Sequence, residues 1–230
     1  MTAHSDNVTI VLVHGAWADA SSWRRVIKRL QSQGLVVIAV QNPTSSLVDD
    51  VAATRLILDG INGPVVLAGH SWGGTVITQA GNDPKVKALV YVAAFAPEIG
   101  QSTGDQVAAY SPPPGLSGIE DDGAGHLKMS VASWITNVAQ DLPESDARVM
   151  AATQPPLGAA TFDDKVTQVA WADRPCWYVL SVDDRAVSPD LQRDLAIRLN
   201  AKTTELKTSH LSLLSDPDSV ANVIIQAAAA

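Results

Sequence analysis

A serine stands between two glycines in the pentapeptide Gly69-His70-Ser71-Trp72-Gly73 of this 230-residue chain. A short apolar run precedes the pentapeptide and a helical pattern follows it, which is the setting of a nucleophile elbow. Glycines suit so sharp a turn because a Cβ on either side would meet the neighbouring strand or helix. The turn also places the serine hydroxyl at a helix N-terminus, where backbone N–H groups favour negative charge. We therefore predict that Ser71 is a nucleophile.

A serine hydroxyl is a weak nucleophile until a base takes its proton, so a histidine should follow it in the chain. Only His126 and His210 come after Ser71. His210 follows the last predicted strand, where a loop can reach over the sheet edge to the serine. His126 lies in an irregular, glycine-containing segment and is interpreted as an exposed loop residue, with substrate contact as the alternative. The predicted base is His210.

The acid that orients this histidine should follow the penultimate strand, before the histidine in chain order. Asp183 and Asp184 both stand there, and their side chains must point to different sides. The pattern Asp-x-x-Val-x-Pro from Asp184 onward favours that residue, since Pro189 can open the next helix. Asp184 is the predicted acid and Asp183 the alternative.

The charge that develops on a carbonyl oxygen during acyl transfer needs preorganised donors. One predicted donor is the backbone N–H of Trp72, which follows the nucleophile. The other is the backbone N–H of Ala16, in the loop after the first strand, where Gly15 permits the bend. His14 is interpreted as a structural residue of this loop. Trp17 is interpreted first as a packing residue and second as a substrate contact.

The elements that must position these residues follow a repeated order of short β-branched runs and amphipathic stretches. Such an order predicts βα units and a mostly parallel, doubly wound sheet of the α/β class. The predicted strands are residues 8–13, 35–40, 64–68, 87–94, 177–182 and 203–207. The predicted helices are residues 19–33, 47–58, 73–81, 190–199 and 216–228.

Residues 97–173 differ from the rest of the chain, because proline-rich and glycine-rich stretches interrupt them repeatedly. Short helices are expected at residues 131–140 and 143–153. An insertion this long between two strands is typical of a functional lid, so a cap over the active site is predicted within a single domain of residues 1–230. Trp134 is a candidate for contact with the substrate.

The composition limits the kinds of partner that the protein is expected to bind. The net charge is −8, the pI is about 4.9, and Lys and Arg form no cluster. These features argue against nucleic acid or an anionic membrane as the main partner. A single cysteine, Cys176, is expected to be a buried structural thiol. No nucleotide-binding loop or metal-ligand spacing is present, so no cofactor and no metal are expected. Residues 1–7 lack the layout of a signal peptide, which predicts a cytoplasmic protein.

Five segments together resemble small bacterial α/β-hydrolases and, more distantly, the plant methylesterase and hydroxynitrile-lyase group. The resemblance implies an α/β-hydrolase fold, Ser71, Asp184 and His210 as catalytic triad, and the amides of Ala16 and Trp72 as oxyanion hole. The segments are residues 11–17, 69–74, 91–97, 184–189 and 209–210.

The resemblance also helps to distinguish esterase activity from the other activities found in related enzymes. Hydroxynitrile lyases of that group carry Glu before the serine and Lys after the catalytic histidine, where this chain has His70 and Leu211. Haloalkane dehalogenases and epoxide hydrolases use Asp at the elbow, which Ser71 excludes. We therefore expect a carboxylesterase that acts on small acyl or aryl esters. Alternatives are other serine-triad chemistry (a perhydrolase, lactonase, amidase or C–C hydrolase), a lyase, and a non-catalytic ligand-binding protein of this fold.

Overall fold

A parallel six-stranded sheet forms the centre of the computed structural model, which describes residues 8–230. Residues 1–7, on which the signal-peptide prediction rests, lie outside the described residues. The strands are, in chain order, β1 Thr9–Val13, β2 Val36–Val40, β3 Val65–His70, β4 Val86–Val92, β5 Ile119–Asp121, β6 His126–Met129, β7 Leu157–Gly158, β8 Cys176–Ser181 and β9 Lys202–Leu206. The α-helices are α1 Arg24–Ser32, α2 Leu47–Asp59, α3 Trp72–Ala80, α4 Thr103–Ala108, α5 Val131–Ser133, α6 Glu144–Thr153, α7 Pro189–Arg198, α8 Ser212–Ser215 and α9 Pro217–Ala229.

The strand order in the central sheet is β2-β1-β3-β4-β8-β9, and every neighbouring pair is parallel. The chain runs from β1 outward to β2 and then crosses back to place β3 on the other side of β1. The winding therefore reverses between β1 and β3. Open parallel sheets bind ligands at the carboxyl ends of the strands at such a point. The predicted oxyanion loop and the predicted nucleophile follow these two strands.

Both faces of the sheet are covered by helices, as the continuous apolar runs of the strands require. Along β1, Val11 and Val13 join one buried cluster, which includes residues of α2, α3 and α7. Ile10 and Leu12 join the other, which includes residues of α1 and α9. The predicted doubly wound, mostly parallel sheet is confirmed.

Residues 97–173, between β4 and β8, are called the insertion below. The expected helical segment at 131–140 is α5 continued by a π-helical turn, Trp134–Val138, and the expected segment at 143–153 is α6. The insertion also contains elements that were not predicted, namely α4 and an antiparallel sheet of β5, β6 and β7. These strands are two to four residues long, too short to show an alternating pattern.

Within residues 8–230, no helix combines the length and the apolar character needed to cross a membrane.

Candidate active site

Ser71 lies on the sharp turn between β3 and α3, with φ 53° and ψ −122°. A positive φ is uncommon for a residue with a side chain and persists only where the surroundings impose it. Its N–H donates to the Val92 carbonyl at 3.1 Å. Its carbonyl accepts from the N–H groups of Gly74 and Phe95, at 2.9 and 3.2 Å. The turn thus fixes Ser71 at the carboxyl edge of the sheet.

Two glycines let the loop after β1 pack against this turn. A Cβ on Gly73 would lie 2.5 Å from the carbonyl oxygen of Val13, the last residue of β1. A Cβ on Gly15 would lie 2.9 Å from the Cβ of Ser71. Side chains at these positions would force the loop away from the nucleophile, so both glycines are required for the approach.

The predicted base and acid are in direct contact. Nδ1 of His210 donates to Oδ2 of Asp184 at 2.8 Å, and both side chains are buried. A carboxylate can only accept, so in the neutral imidazole Nδ1 carries the proton and Nε2 has a free lone pair. His210 and Ser71 line the same cavity. An imidazole in this tautomer is suited to take a proton from a serine hydroxyl.

Asp184 is held by further donors. Its Oδ1 accepts from the N–H groups of Ala186 and Val187, at 2.8 and 2.9 Å. Its Oδ2 also accepts from the side-chain amide of Gln192 at 2.9 Å. Asp183 is exposed, so Asp184 is the aspartate that the structure places on His210.

Gln192 is a site residue that the sequence analysis missed. It is fully buried on the face of α7 that also carries Leu191 and Leu195. An amide among buried leucines on one helix face signals a specific partner, since a buried polar group must be hydrogen-bonded.

The two predicted oxyanion donors flank Ser71. Trp72 is the first residue of α3, where a backbone N–H has no acceptor within the helix. Ala16 lies in the loop that packs on Ser71 and lines the cavity. Across residues 8–230, neither amide has a protein acceptor. Both N–H groups therefore stay predicted oxyanion donors.

Two further histidines are buried beside the turn. Nε2 of His14 accepts from the Asn42 N–H at 2.9 Å and its Nδ1 donates to the Gly15 carbonyl at 2.9 Å, which confirms the structural interpretation of His14. Nε2 of His70 donates to the His210 carbonyl at 2.9 Å, and the two rings are 4.6 Å apart. Burial is the main cause that lowers the pKa of His14 and of His70, the latter strongly.

We expect the free energy of unfolding to fall as the pH drops below 6.5, the ordinary pKa of histidine. In that range the unfolded chain binds protons on His14 and His70 that the folded chain does not bind, so protonation favours unfolding. Proton uptake by Asp50 in the folded chain, where burial raises its pKa to about 6, offsets part of this loss. The expected loss between pH 7.5 and 5.5, measured by urea unfolding, is about 1 to 2 kcal/mol.

A His126→Gln variant is the control, because a loss of stability that persists in this variant cannot come from the exposed His126. An equal or greater stability of the wild-type protein at pH 5.5 would contradict the assignment of buried neutral histidines.

The cavity over Ser71 has a volume of about 220 Å³. Most of its wall is apolar, and the described residues that line it include no Asp, Glu, Lys or Arg. Trp17 and Trp134, two of the substrate-contact candidates, line it. The third, His126, does not: it begins β6 on the exposed side of the insertion and pairs with Asp122. The insertion supplies much of the wall, including Thr103, Val107, Leu116, Ile119, Met129, Val138 and Phe162.

Cys176 is buried at the start of β8, as predicted, and burial raises the pKa of its thiol to about 12. No three His, Cys, Asp or Glu side chains of residues 8–230 form a group that could hold a metal ion.

The model of the alpha/beta hydrolase family matches residues 10–223 of this chain. The chain belongs to this family. A probable hydrolase, R7, of Phoma sp. is 24% identical over 95% of this chain and 97% of its own length. A pyrethroid hydrolase from Sphingobium faniae is 21% identical, with a TM-score of 0.82 over 97% of this chain and 98% of that one. Polyneuridine aldehyde esterase is 19% identical, with a TM-score of 0.82 over 96% and 98%.

These matches confirm the α/β-hydrolase fold. They also confirm the resemblance to α/β-hydrolases from which this fold was expected. The protein is accordingly an enzyme, a hydrolase. The family match disfavours the non-catalytic binding protein considered above.

Proposed function

We propose that this hydrolase cleaves carboxylic esters through a covalent acyl-enzyme. The observation that carries the proposal is the convergence of two features on one cavity. Ser71 is held there at positive φ, and His210 is held there by its hydrogen bond to Asp184. In this proposal Ser71 is the nucleophile, His210 the base and Asp184 the acid that acyl transfer requires.

In the acylation step, Oγ of Ser71 attacks the ester carbonyl carbon while Nε2 of His210 takes the hydroxyl proton. The carbonyl oxygen becomes an oxyanion, which the N–H groups of Ala16 and Trp72 stabilise. The C–O bond to the alcohol then breaks, and His210 returns the proton to the leaving oxygen. Water repeats the sequence on the acyl-enzyme and releases the acid and Ser71.

The cavity favours an uncharged substrate with apolar acyl or aryl groups. A charged group placed in it would lose its hydration without an ionic partner, which costs several kcal/mol. Leu211 also lines the cavity, at the position where lyases of the resembling group carry lysine, so ester cleavage is favoured over cyanohydrin cleavage. The esterase and pyrethroid hydrolase among the structural relatives support the same reaction class.

The insertion acts in this proposal as a cap that closes the cavity from water. Its aromatic residues Trp134 and Phe162 lie in the cavity wall. A cytoplasmic location stays a prediction.

A panel of p-nitrophenyl esters tests the proposal. We expect the wild-type enzyme to cleave the acetate, butyrate and valerate, with kcat/KM at least about tenfold higher for the valerate than for the hemisuccinate. These last two acyl groups are similar in length, but only the hemisuccinate carries a carboxylate.

The valeryl p-nitroanilide is the control for bond type. Absence of turnover on every neutral ester would overturn the proposal, and faster cleavage of the anilide would replace it with amide hydrolysis.

A further inference from the structure

Asp50 is a buried carboxylate that the proposed reaction does not use. It lies on α2, fully buried, on the same helix face as Val51, Thr54 and Leu58. A charged side chain is rarely fully buried unless it is paired, and Asp50 forms no ion pair within residues 8–230. Its partners are two N–H groups.

These two donors belong to separate segments, the turn that carries Ser71 and the loop after β2. Oδ2 of Asp50 accepts from the indole Nε1 of Trp72 at 2.7 Å, and Oδ1 accepts from the backbone N–H of Thr44 at 2.8 Å. Trp72 is itself fully buried, so its indole N–H depends on this carboxylate for a partner. Asp50 therefore links α2 to the residue that follows the nucleophile.

The second donor, Thr44, contacts the insertion. Thr44 has φ 57°, and its carbonyl accepts from the Gly158 N–H at 2.8 Å. Its hydroxyl proton is shared between the carbonyl oxygens of Pro43 and Pro156, at 2.7 and 3.0 Å. On the other side, the Trp72 ring packs edge-on against Phe162, with ring centroids 6.0 Å apart, and Phe162 lines the cavity. Asp50 thus stands where the elbow, the loop after β2 and the insertion meet.

Burial at position 50 disfavours the charged form of a carboxylate. Burial raises the pKa of Asp50 to about 6, and the charges of Asp49 and Asp164 add to the rise, although the hydrogen bonds from Trp72 and Thr44 oppose it. An apolar residue would avoid this cost but would leave both N–H groups without an acceptor. The carboxylate suits the position because both of its oxygens accept.

We propose that Asp50 is a positioning residue that fixes Trp72 through its indole, and thereby holds the Trp72 backbone N–H in place as oxyanion donor. The inference rests on the proposed ester hydrolysis. An oxyanion donor acts mainly in the transition state, so its displacement lowers kcat and leaves KM nearly unchanged.

Two single variants and their combination test the proposal. Trp72→Phe removes the indole N–H and keeps a buried ring, whereas Asp50→Asn places an amide N–H₂ against one of two donors. We expect each to lower kcat for p-nitrophenyl valerate about tenfold or more, with KM within about threefold, since loss of one oxyanion donor costs about 10²–10³. The double variant should be no more than about threefold worse than the poorer single variant, because both act through one contact.

Thr54→Val is the matched control. The Thr54 hydroxyl donates to the Asp50 backbone carbonyl at 2.9 Å, so its loss disturbs α2 without touching Trp72. We expect a lower Tm and an unchanged kcat. If Asp50→Asn fails to fold, Trp72→Phe alone still decides the question.

A wild-type kcat in Trp72→Phe, or multiplying losses in the double variant, would overturn the inference while leaving ester hydrolysis intact. A wild-type enzyme that turns over no ester would overturn the proposed function and this inference with it.

Discussion

Ser71→Ala is expected to lower kcat for p-nitrophenyl valerate by about four to six orders of magnitude. Alanine keeps the backbone of the turn but removes the oxygen that would attack the carbonyl, so no acyl-enzyme can form. The residual rate would come from binding and from the oxyanion donors alone. Steady-state kinetics measures the loss, and circular dichroism checks that the variant remains folded.

His210→Ala should cause a loss of similar size, because the Ser71 hydroxyl is a poor nucleophile without its base. The double variant should be little worse than either single variant, since residues that act as one unit give non-additive losses. Losses that multiply would show that the two side chains act independently and would contradict the proposed mechanism.

A covalent label gives an independent readout of the same residue. Intact-mass measurement after incubation with a fluorophosphonate should show one adduct on the wild-type protein and none on Ser71→Ala. Ser22→Ala is the matched control, because this buried serine donates to the Asp19 carbonyl and does not line the cavity. Labelling of Ser71→Ala would assign the nucleophile to another residue.

Asp184→Asn is expected to lower kcat by about three to four orders of magnitude. The Asp184 carboxylate accepts from four N–H groups, one of which is Nδ1–H of His210. Each carboxylate oxygen accepts from two donors, so an asparagine must turn its own N–H₂ toward one such pair. Where that pair includes His210, the imidazole must carry its proton on Nε2 instead and can no longer accept one from Ser71.

Asp183→Asn separates the two neighbouring aspartates. Its side chain is exposed, while its backbone carbonyl accepts from the Gln140 side chain, a contact that the substitution keeps. We expect kcat within about twofold of wild type, as for most exposed substitutions away from a site. A larger loss in Asp183→Asn than in Asp184→Asn would assign the acid to Asp183.

Sequence periodicity was sufficient for the central sheet. The six sheet strands and four of the five helices predicted outside the insertion begin and end within two residues of the prediction, because short β-branched runs and helical spacing are local signals. The fifth helix, predicted from residue 19, begins with the 3-10 turn Ala20–Trp23 and continues as α1. The insertion was harder to predict. Its antiparallel strands are fixed by pairing partners up to 32 residues apart, such as His126 and Gly158, and such pairing leaves no local pattern.

The residues of the candidate site also differ in how well the sequence predicted them. Ser71 was identifiable because a strand, two glycines and a helix are adjacent in sequence around it. His210 and Asp184 followed from chain order and from the loops that end the last strands. Gln192 was missed, although a polar residue on an apolar helix face was a visible signal.

By itself, the sequence determined which chemistry to expect, because the elbow, the succession of strands along the chain and the histidine after the last strand are encoded in local spacing. The tertiary structure decided which of two adjacent aspartates contacts His210, a choice that depends on a loop conformation rather than on residue type. It also decided that Asp50 contacts Trp72, a pair separated by 22 positions. Partners at such distances are set by how helices pack on the sheet, and packing depends on all the buried side chains together.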